Sequence, residues 1–461
     1  MQKSNLGTEK IKTLFIRLVI PSVIAQLVSL IYNMVDRIYI GHIADVGSLA
    51  LTGVGVCTPL VLMITGFANL AGAGGGPRAS IALGKGDREE AERILGNCFL
   101  FAILLSAVLT VVFRVFSRQL LVLFGASDHT LPYAMAYMNT YILGTVFVVL
   151  TLSMNFFITA QGFTKISMLS ISLGAICNIV LDPVFIFGLD MGIRGAALAT
   201  VLSQALSMIW ILCFLFGKKP EVRIRRQRIR LEWRILTPCL ALGLSPFVMQ
   251  ITECALSICF NNSLLKYGGD IAVGAMSIFT TVMQIASLPM QGICQGAQPI
   301  TGYNYGAGRW DRVRENFFLL VRTGVIFESA VWILILICPQ IFIGIFTNDP
   351  ELTAYCVRMI RIYFATLFVL SLQNTCQNTF LALGNAKTSL LLALERKVFL
   401  LIPMIYILPL IWKSNQEAAV FLAEPISDCI AAATTVTMFL LQYRKKLFVP
   451  KGQQEEKRRK L

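Results

Sequence analysis

Apolar residues in this chain come in runs too long for the core of a soluble domain. They fill 14–43, 49–71, 94–116, 137–160, 168–187, 192–216, 235–265, 271–295, 317–346, 356–381, 390–411 and 417–441. A helix rising 1.5 Å per residue needs about 20 residues to cross roughly 30 Å of hydrocarbon, and each run meets that length. The pattern predicts an all-α polytopic membrane protein of twelve transmembrane helices. Polar residues interrupt the runs at helical spacing. In the first, Ser22, Gln26, Ser29, Asn33 and Asp36 follow one another at steps of three and four, which puts them on one helix face. The fifth run carries Ser170, Gly174, Asn178 and Asp182 in the same way, the fourth Thr151, Asn155 and Thr159, and the sixth Thr200, Ser203 and Ser207. Later runs carry amides: Gln250 with Glu253, Ser257 and Asn261, then Gln284, Ser287, Gln291, Gln295 and Gln298, then Asn374 and Asn378.

The chain also matches itself at an offset of 222. Pro77 pairs with Pro299, Gly84 and Gly86 with Gly306 and Gly308, Phe124 with Phe346, Tyr133 with Tyr355, and Ala160, Gly162 and Lys165 with Ala382, Gly384 and Lys387. Two pseudo-symmetric lobes of six helices follow. Six is even, so both lobes enter the membrane from the same side, as parallel repeats about an axis along the membrane normal. The expected divisions are a first lobe 1–217, a basic cytoplasmic linker 218–234 acting as the hinge, a second lobe 235–443 and a basic cytoplasmic tail 444–461.

Composition agrees. Of 461 residues, 56% are apolar and 14% charged, where soluble chains carry roughly 45–50% and about 25%. The net charge of +15 collects in alternate loops, including Lys85, Arg88 and Arg93, the linker, Arg309, Arg312 and Arg314, and the tail. By the positive-inside rule both termini are cytoplasmic, which accounts for the charge without a nucleic-acid partner. The first run is expected to remain as a span rather than to be cleaved as a signal peptide. The 12 cysteines read as small packing residues inside spans, not as disulfides or metal ligands. Neither a phosphate-binding GxxxxGK[ST] loop nor a catalytic Ser/His/Asp or HExxH spacing occurs, so no case for an enzyme or an ATP motor arises. The run Gly72 to Gly76 is expected to let a span end pack closely.

Ionisable groups inside a membrane are costly and therefore candidates for function. If the polar faces of the first half converge, Asp36 and Asp182 meet in a partly desolvated pocket among Asn and Thr oxygens, suited to binding and releasing a proton or holding a sodium ion. The amides of the second half, with Glu253, are expected to line a cavity for amphipathic solutes. Glu424 and Asp428 share a face four residues apart, and Arg396 and Lys397 stand ready as their ion-pair partners, while Glu328 has no evident one.

The stretches IPSVIAQLVSLIYNMVDRIYIGHI, CNIVLDPVFIFGLDMGIRGAALAT, ALGKGDREEAER, ALGNAK and AEPISD together resemble the MATE (multidrug and toxic compound extrusion) family, in its MepA-like and DinF-like bacterial branches. The resemblance covers nearly the whole chain. It implies secondary active export of small cationic or lipophilic compounds across the cytoplasmic membrane of a bacterium, in exchange for inward H⁺ or Na⁺, by alternating access. No cofactor is implied, and the protein is expected to work as a monomer in contact with membrane lipid. On this resemblance the coupling site falls on Asp36, Asp182, Asn178, Thr200 and Asn155, and the first-span bend on Pro21. Gln26, Asn33, Gln250, Glu253, Gln284, Gln291, Asn374 and Asn378 are the expected substrate cavity. NorM-like members carry an acid in the tenth span where this chain has Leu372, which favours coupling through the first lobe. The alternative is a flippase for a lipid-linked saccharide, which needs basic residues in its cavity to meet phosphates.

Overall fold

The computed structural model describes residues 5–43, 46–347 and 349–447, with the side chain of Ser48 left out. All regular structure among them is helical. Six helices make the first lobe: α1 (Ile11–Gly41), α2 (Gly47–Gly84), α3 (Arg88–Leu123), α4 (Leu131–Ala160), α5 (Thr164–Gly188) and α6 (Ile193–Phe216). The second lobe opens with α7 (Trp233–Gly306), which holds two spans. Gly269 divides them with φ 68° and ψ −164°, a conformation open to a residue without Cβ, and the chain turns back there. Then come α8 (Trp310–Ile337), a short α9 (Pro339–Gly344), α10 (Pro350–Tyr363) and α11 (Leu367–Ala382). The last two form one span bent by 47°. The eleventh span, α12, passes through Ala386–Leu394, a widened π-helical stretch Glu395–Leu401 and Ile402–Ile411, and α13 (Gln416–Leu447) closes the bundle. Twelve spans result, as the apolar runs predict.

The repeat is visible in the backbone. Gly86 and Gly308, 222 apart, both take left-handed conformations (φ 81° and 72°) just past a helix end, and so do Gly162 and Gly384 (φ 83° and 75°). Asp87 caps the helix after the first of these turns, its carboxylate accepting from the Glu90 amide at 2.8 Å, and Asn385 caps the one after the last through the Thr388 amide.

One expectation is corrected. The second span does not end at 71: α2 continues to Gly84, and the glycine run lies inside it. The reason is packing on both sides. A Cβ on Gly75 would lie 2.5 Å from the Phe157 ring, and one on Gly74 would lie 1.9 Å from the Cys239 carbonyl oxygen of the other lobe. The linker, expected to be the hinge, is held against the first lobe, which adds to that expectation rather than correcting it. Gln161 clasps Val222 through both its backbone groups, Arg225 pairs with Glu92 at 2.8 Å, Arg228 pairs with Glu89 at 2.8 Å, and Arg93 pairs with Glu232. Most of the basic tail, residues 448–461, lies outside the described residues.

The lobes meet tightly at one end of the bundle. There the ends of α2 and α7 cross at Gly84 and Gly306, Ser80 donates to the Pro299 carbonyl at 3.2 Å, and Gly292 and Gly296 of α7 lie against Val23 and Val19 of α1. The first half of α1 belongs to the second lobe's core: Leu14, Phe15, Leu18 and Val19 cluster with Met290, Ile293 and Leu320. Arg309 and Arg312 hold the segment before α1 by its carbonyls at Gly7, Leu6 and Glu9.

Candidate functional site

The polar face of α1 is divided between two neighbours. Ser22 turns its hydroxyl onto the Leu18 carbonyl at 3.0 Å, beside Pro21, where a backbone hydrogen bond is missing. Gln26 crosses to the second lobe and donates to Gln295 at 3.0 Å. Asn33 is exposed and bonds back to the Ser29 carbonyl, and only Asp36, near the far end, turns to the first lobe's interior.

Its counterpart is on α5. Gly174 lets α6 approach, since a Cβ there would lie 2.3 Å from the Ser207 hydroxyl, and Ser207 donates to the Ser170 carbonyl at 2.9 Å. That contact sets the register further along, where Asn178 faces Thr200. The Asn178 amide donates to Asp182 Oδ1 at 3.1 Å and reaches Thr200 Oγ1 at 3.5 Å. Thr200 spends its own proton on the Ala196 carbonyl at 3.1 Å, leaving oxygen lone pairs toward the amide. Asp182 is fully buried, and its carboxyl lies beside that of Asp36, close enough for the two charges to interact directly. Immediately beyond, Val184–Gly188 widens into a π-turn, a distortion that recurs at functional sites.

Of the five expected coupling residues, four thus converge: Asp36, Asn178, Asp182 and Thr200. Asn155 lies on α4, one turn from Thr151, whose hydroxyl donates to the Gln204 carbonyl of α6 at 3.1 Å. Asp36 Oδ1, Asp182 Oδ2, Asn178 Oδ1 and Asn155 Oδ1 are all buried without a hydrogen-bond partner. Buried oxygens left in this state are expensive unless something transient satisfies them, and a shared proton or a small cation would. The expected residues do not include Tyr137, yet it is buried near Asp36 and Thr200, and its ring stacks on that of Tyr141 at 5.8 Å. Its only sequence signal is its place on the polar-bearing fourth run.

The second lobe sorts the expected cavity residues differently. Gln284 and Gln291 are exposed, and Gln250 packs beneath Gly66 of α2 at the lobe boundary. Asn378 bonds to the Cys294 carbonyl at 3.0 Å and accepts from Gln298, so it ties α11 to α7. Asn374 donates to Glu328 at 3.3 Å, supplying the partner that the sequence did not reveal. The ion pairs foreseen for the last spans form: Arg396 meets Asp428 at 2.8 Å and Glu424 at 3.6 Å. Lys397 turns away to Glu253, 2.9 Å off, with Glu424 at 3.9 Å. Both cations stand in the π-helical stretch of α12, where adjacent residues point to different sides.

Two like six-span lobes, closed against each other at one end and each burying ionisable groups at membrane depth, define a two-lobed polytopic membrane transporter. The MatE family model matches residues 21–184 and again 247–407, once per lobe, and the chain belongs to this family, the MATE transporters. It is similar to the multidrug export protein MepA of Staphylococcus saprophyticus, 24% identical over 436 residues, 94% of each chain. MepA of Staphylococcus aureus strain N315 is 24% identical over 389 residues, 84% of this chain and 85% of the relative. The solved structure of the MATE multidrug transporter DinF-BH, in complex with a ligand, superposes with a TM-score of 0.89 at 31% identity, covering 98% of this chain and all of that one. An outward-facing MATE transporter structure shares the fold with a TM-score of 0.88 at 22% identity, over 96% of this chain and 98% of that one. Members of the family are transporters rather than enzymes.

Proposed function

We propose that the protein is a multidrug exporter of a bacterial cytoplasmic membrane, both termini cytoplasmic, carrying cationic or amphipathic compounds outward against inward H⁺ or Na⁺. The observation that carries this reading is the pair Asp36 and Asp182, facing each other within a group of buried oxygens that lack partners. Ionised, the pair attracts a lipophilic cation; protonated or sodium-bound, it does not. An ion can drive a conformational equilibrium only by binding its two states unequally, and competition for one set of charges supplies that difference. The tight end, where α2 and α7 cross, would be the cytoplasmic gate, so the state described opens outward. The multidrug export named for the MepA relatives supports the same cargo.

A flippase for a lipid-linked saccharide is less well supported. Of the basic residues in the spans, Arg37, Arg322, Arg396 and Lys397, the two within α12 are each held by carboxylates and are not free to meet a phosphate.

The test is efflux of a fluorescent lipophilic cation from proteoliposomes, under a pH gradient and separately under a sodium gradient at clamped voltage. One gradient should drive transport in the wild type, and Asp36→Asn should abolish it while the variant still elutes as a folded protein. Full efflux by Asp36→Asn would remove Asp36 from the mechanism, and no response to either gradient would favour lipid-linked cargo.

A further inference from the structure

We propose that the Lys397 ammonium is a built-in occupant of a cation position at Glu253, and that an organic cation carried by the protein displaces it toward Glu424. This deepens the export reading above and rests on it. Lys397 Nζ lies 2.9 Å from Glu253 Oε1 and 3.9 Å from Glu424 Oε1. The ammonium is therefore already shared. Leaving Glu253 transfers it to a second carboxylate through a small swing of a flexible four-carbon stem, rather than stranding it in the membrane interior.

Exposure gives the direction of attack. The Glu253 side chain is 51% exposed whereas that of Lys397 is 6% exposed, so the lysine holds the carboxylate from behind and its other side is open. Two residues along α7, Gln250 and Phe247, mark that open side as the lobe boundary. Gln250 packs under Gly66, and the Phe247 ring lies 4.8 Å from that of Phe67 on α2. A compound pairing a positive charge with an aromatic or apolar body finds both complements there.

The surroundings of Lys397 give it a second place to go. Among the described residues four acidic side chains, Glu253, Glu424, Asp428 and Glu328, gather around two basic ones, Arg396 and Lys397, and Glu328 is met by the Asn374 amide rather than by a cation. Glu328, 2% exposed, also keeps Oε2 without a partner. A cationic ligand at Glu253 lets Lys397 complete the pairing of Glu424, next to Arg396. Neutral compounds cannot trigger this transfer. The second lobe would thus select monocations by exchange with its own lysine.

The experiment is equilibrium binding of tetraphenylphosphonium to the full-length protein in lipid nanodiscs, with neutral triphenylphosphine oxide as control. Lys397→Met should tighten tetraphenylphosphonium binding about tenfold, the size of a typical coupling between sites, and leave the oxide unchanged. Glu253→Gln should weaken cation binding, and in that background Lys397→Met should have no further effect. Should Lys397→Met fail to fold, Lys397→Gln with Glu424→Gln removes one charge of each sign and should tighten binding likewise. Unchanged or weaker binding by the folded lysine variants, or an equal gain for the oxide, overturns the displacement while leaving export intact. A wild type that binds no tetraphenylphosphonium overturns both.

Discussion

Gly84 at the end of α2 and Gly306 at the end of α7 occupy the same place in the repeat and cross each other backbone to backbone. A Cβ on Gly84 would lie 1.9 Å from the Tyr303 carbonyl oxygen, and one on Gly306 2.0 Å from that of Ile81. The pseudo-twofold axis runs between them, so one substitution type tests both lobes. Gly84→Val and Gly306→Val should each disfavour the state closed at this end. Overpacking of this kind costs about 1–3 kcal/mol, enough to shift a two-state equilibrium by about 5- to 150-fold. Distances between spin labels on the loops at 86 and 308 should lengthen, and transport should fall. An unchanged distance distribution would show that this crossing does not set the conformation.

Asp182 is buried beside Asp36. Asp182→Asn keeps the shape and the bond to Asn178 while removing one charge of the pair. Coupled efflux should drop at least about tenfold, as loss of one member of a proton-handling pair does. The melting temperature should hold or rise, because repulsion between two carboxylates disappears. A lower melting temperature with normal efflux would make Asp182 a structural residue.

Arg396 serves two carboxylates at once, Asp428 at 2.8 Å and Glu424 at 3.6 Å. Arg396→Met leaves both without it at membrane depth and should destabilise the protein by about 3–5 kcal/mol, the usual effect of breaking a buried pair from one side. Arg396→Met combined with Asp428→Leu should recover part of that loss. Thermal unfolding in detergent measures both. Equal stability of the single variant and the wild type would mean that the carboxylates there are neutral.

The fold was largely legible because the membrane leaves few choices: helix length is set by its thickness, and the offset of 222 marks the same turns in both halves, as Gly162 and Gly384 show. The first-lobe site was legible for a related reason. Asn178 and Asp182 lie four apart on a regular stretch of α5, and Thr200 on α6 is brought opposite by the Gly174–Ser207 contact. What did not follow from spacing is where a face turns once its helix straddles two lobes. Ser22, Gln26 and Asp36 share a stripe on α1, yet Gln26 serves the second lobe and Asp36 the first. Lys397 was illegible for another reason. Its neighbour Arg396 points to Glu424, which Lys397 does reach at 3.9 Å, but the closer contact with Glu253 joins α12 to α7, and spacing within one helix does not encode how two spans are placed against each other.

If the strapped linker stays with the first lobe during transport, the pivot between the lobes lies at its end. Residues 218–232 cross the first lobe under two kinds of restraint that differ in strength. Arg225 and Arg228 are partly exposed, and ion pairs of that kind contribute about 0–1 kcal/mol each. Gln161 is buried and satisfies both the amide and the carbonyl of Val222, so Gln161→Leu strands two backbone groups and should cost about 1–3 kcal/mol for each. If the linker rides with the first lobe, Gln161→Leu should expose it to limited proteolysis at the Lys218 to Arg230 bonds, whereas Arg225→Ala with Arg228→Ala should change cleavage little. Rocking would then pivot where α7 starts, at Glu232, whose amide is held to α3 through Asn97. A wild-type linker cleaved as fast as the Gln161→Leu variant would return the hinge to the linker itself.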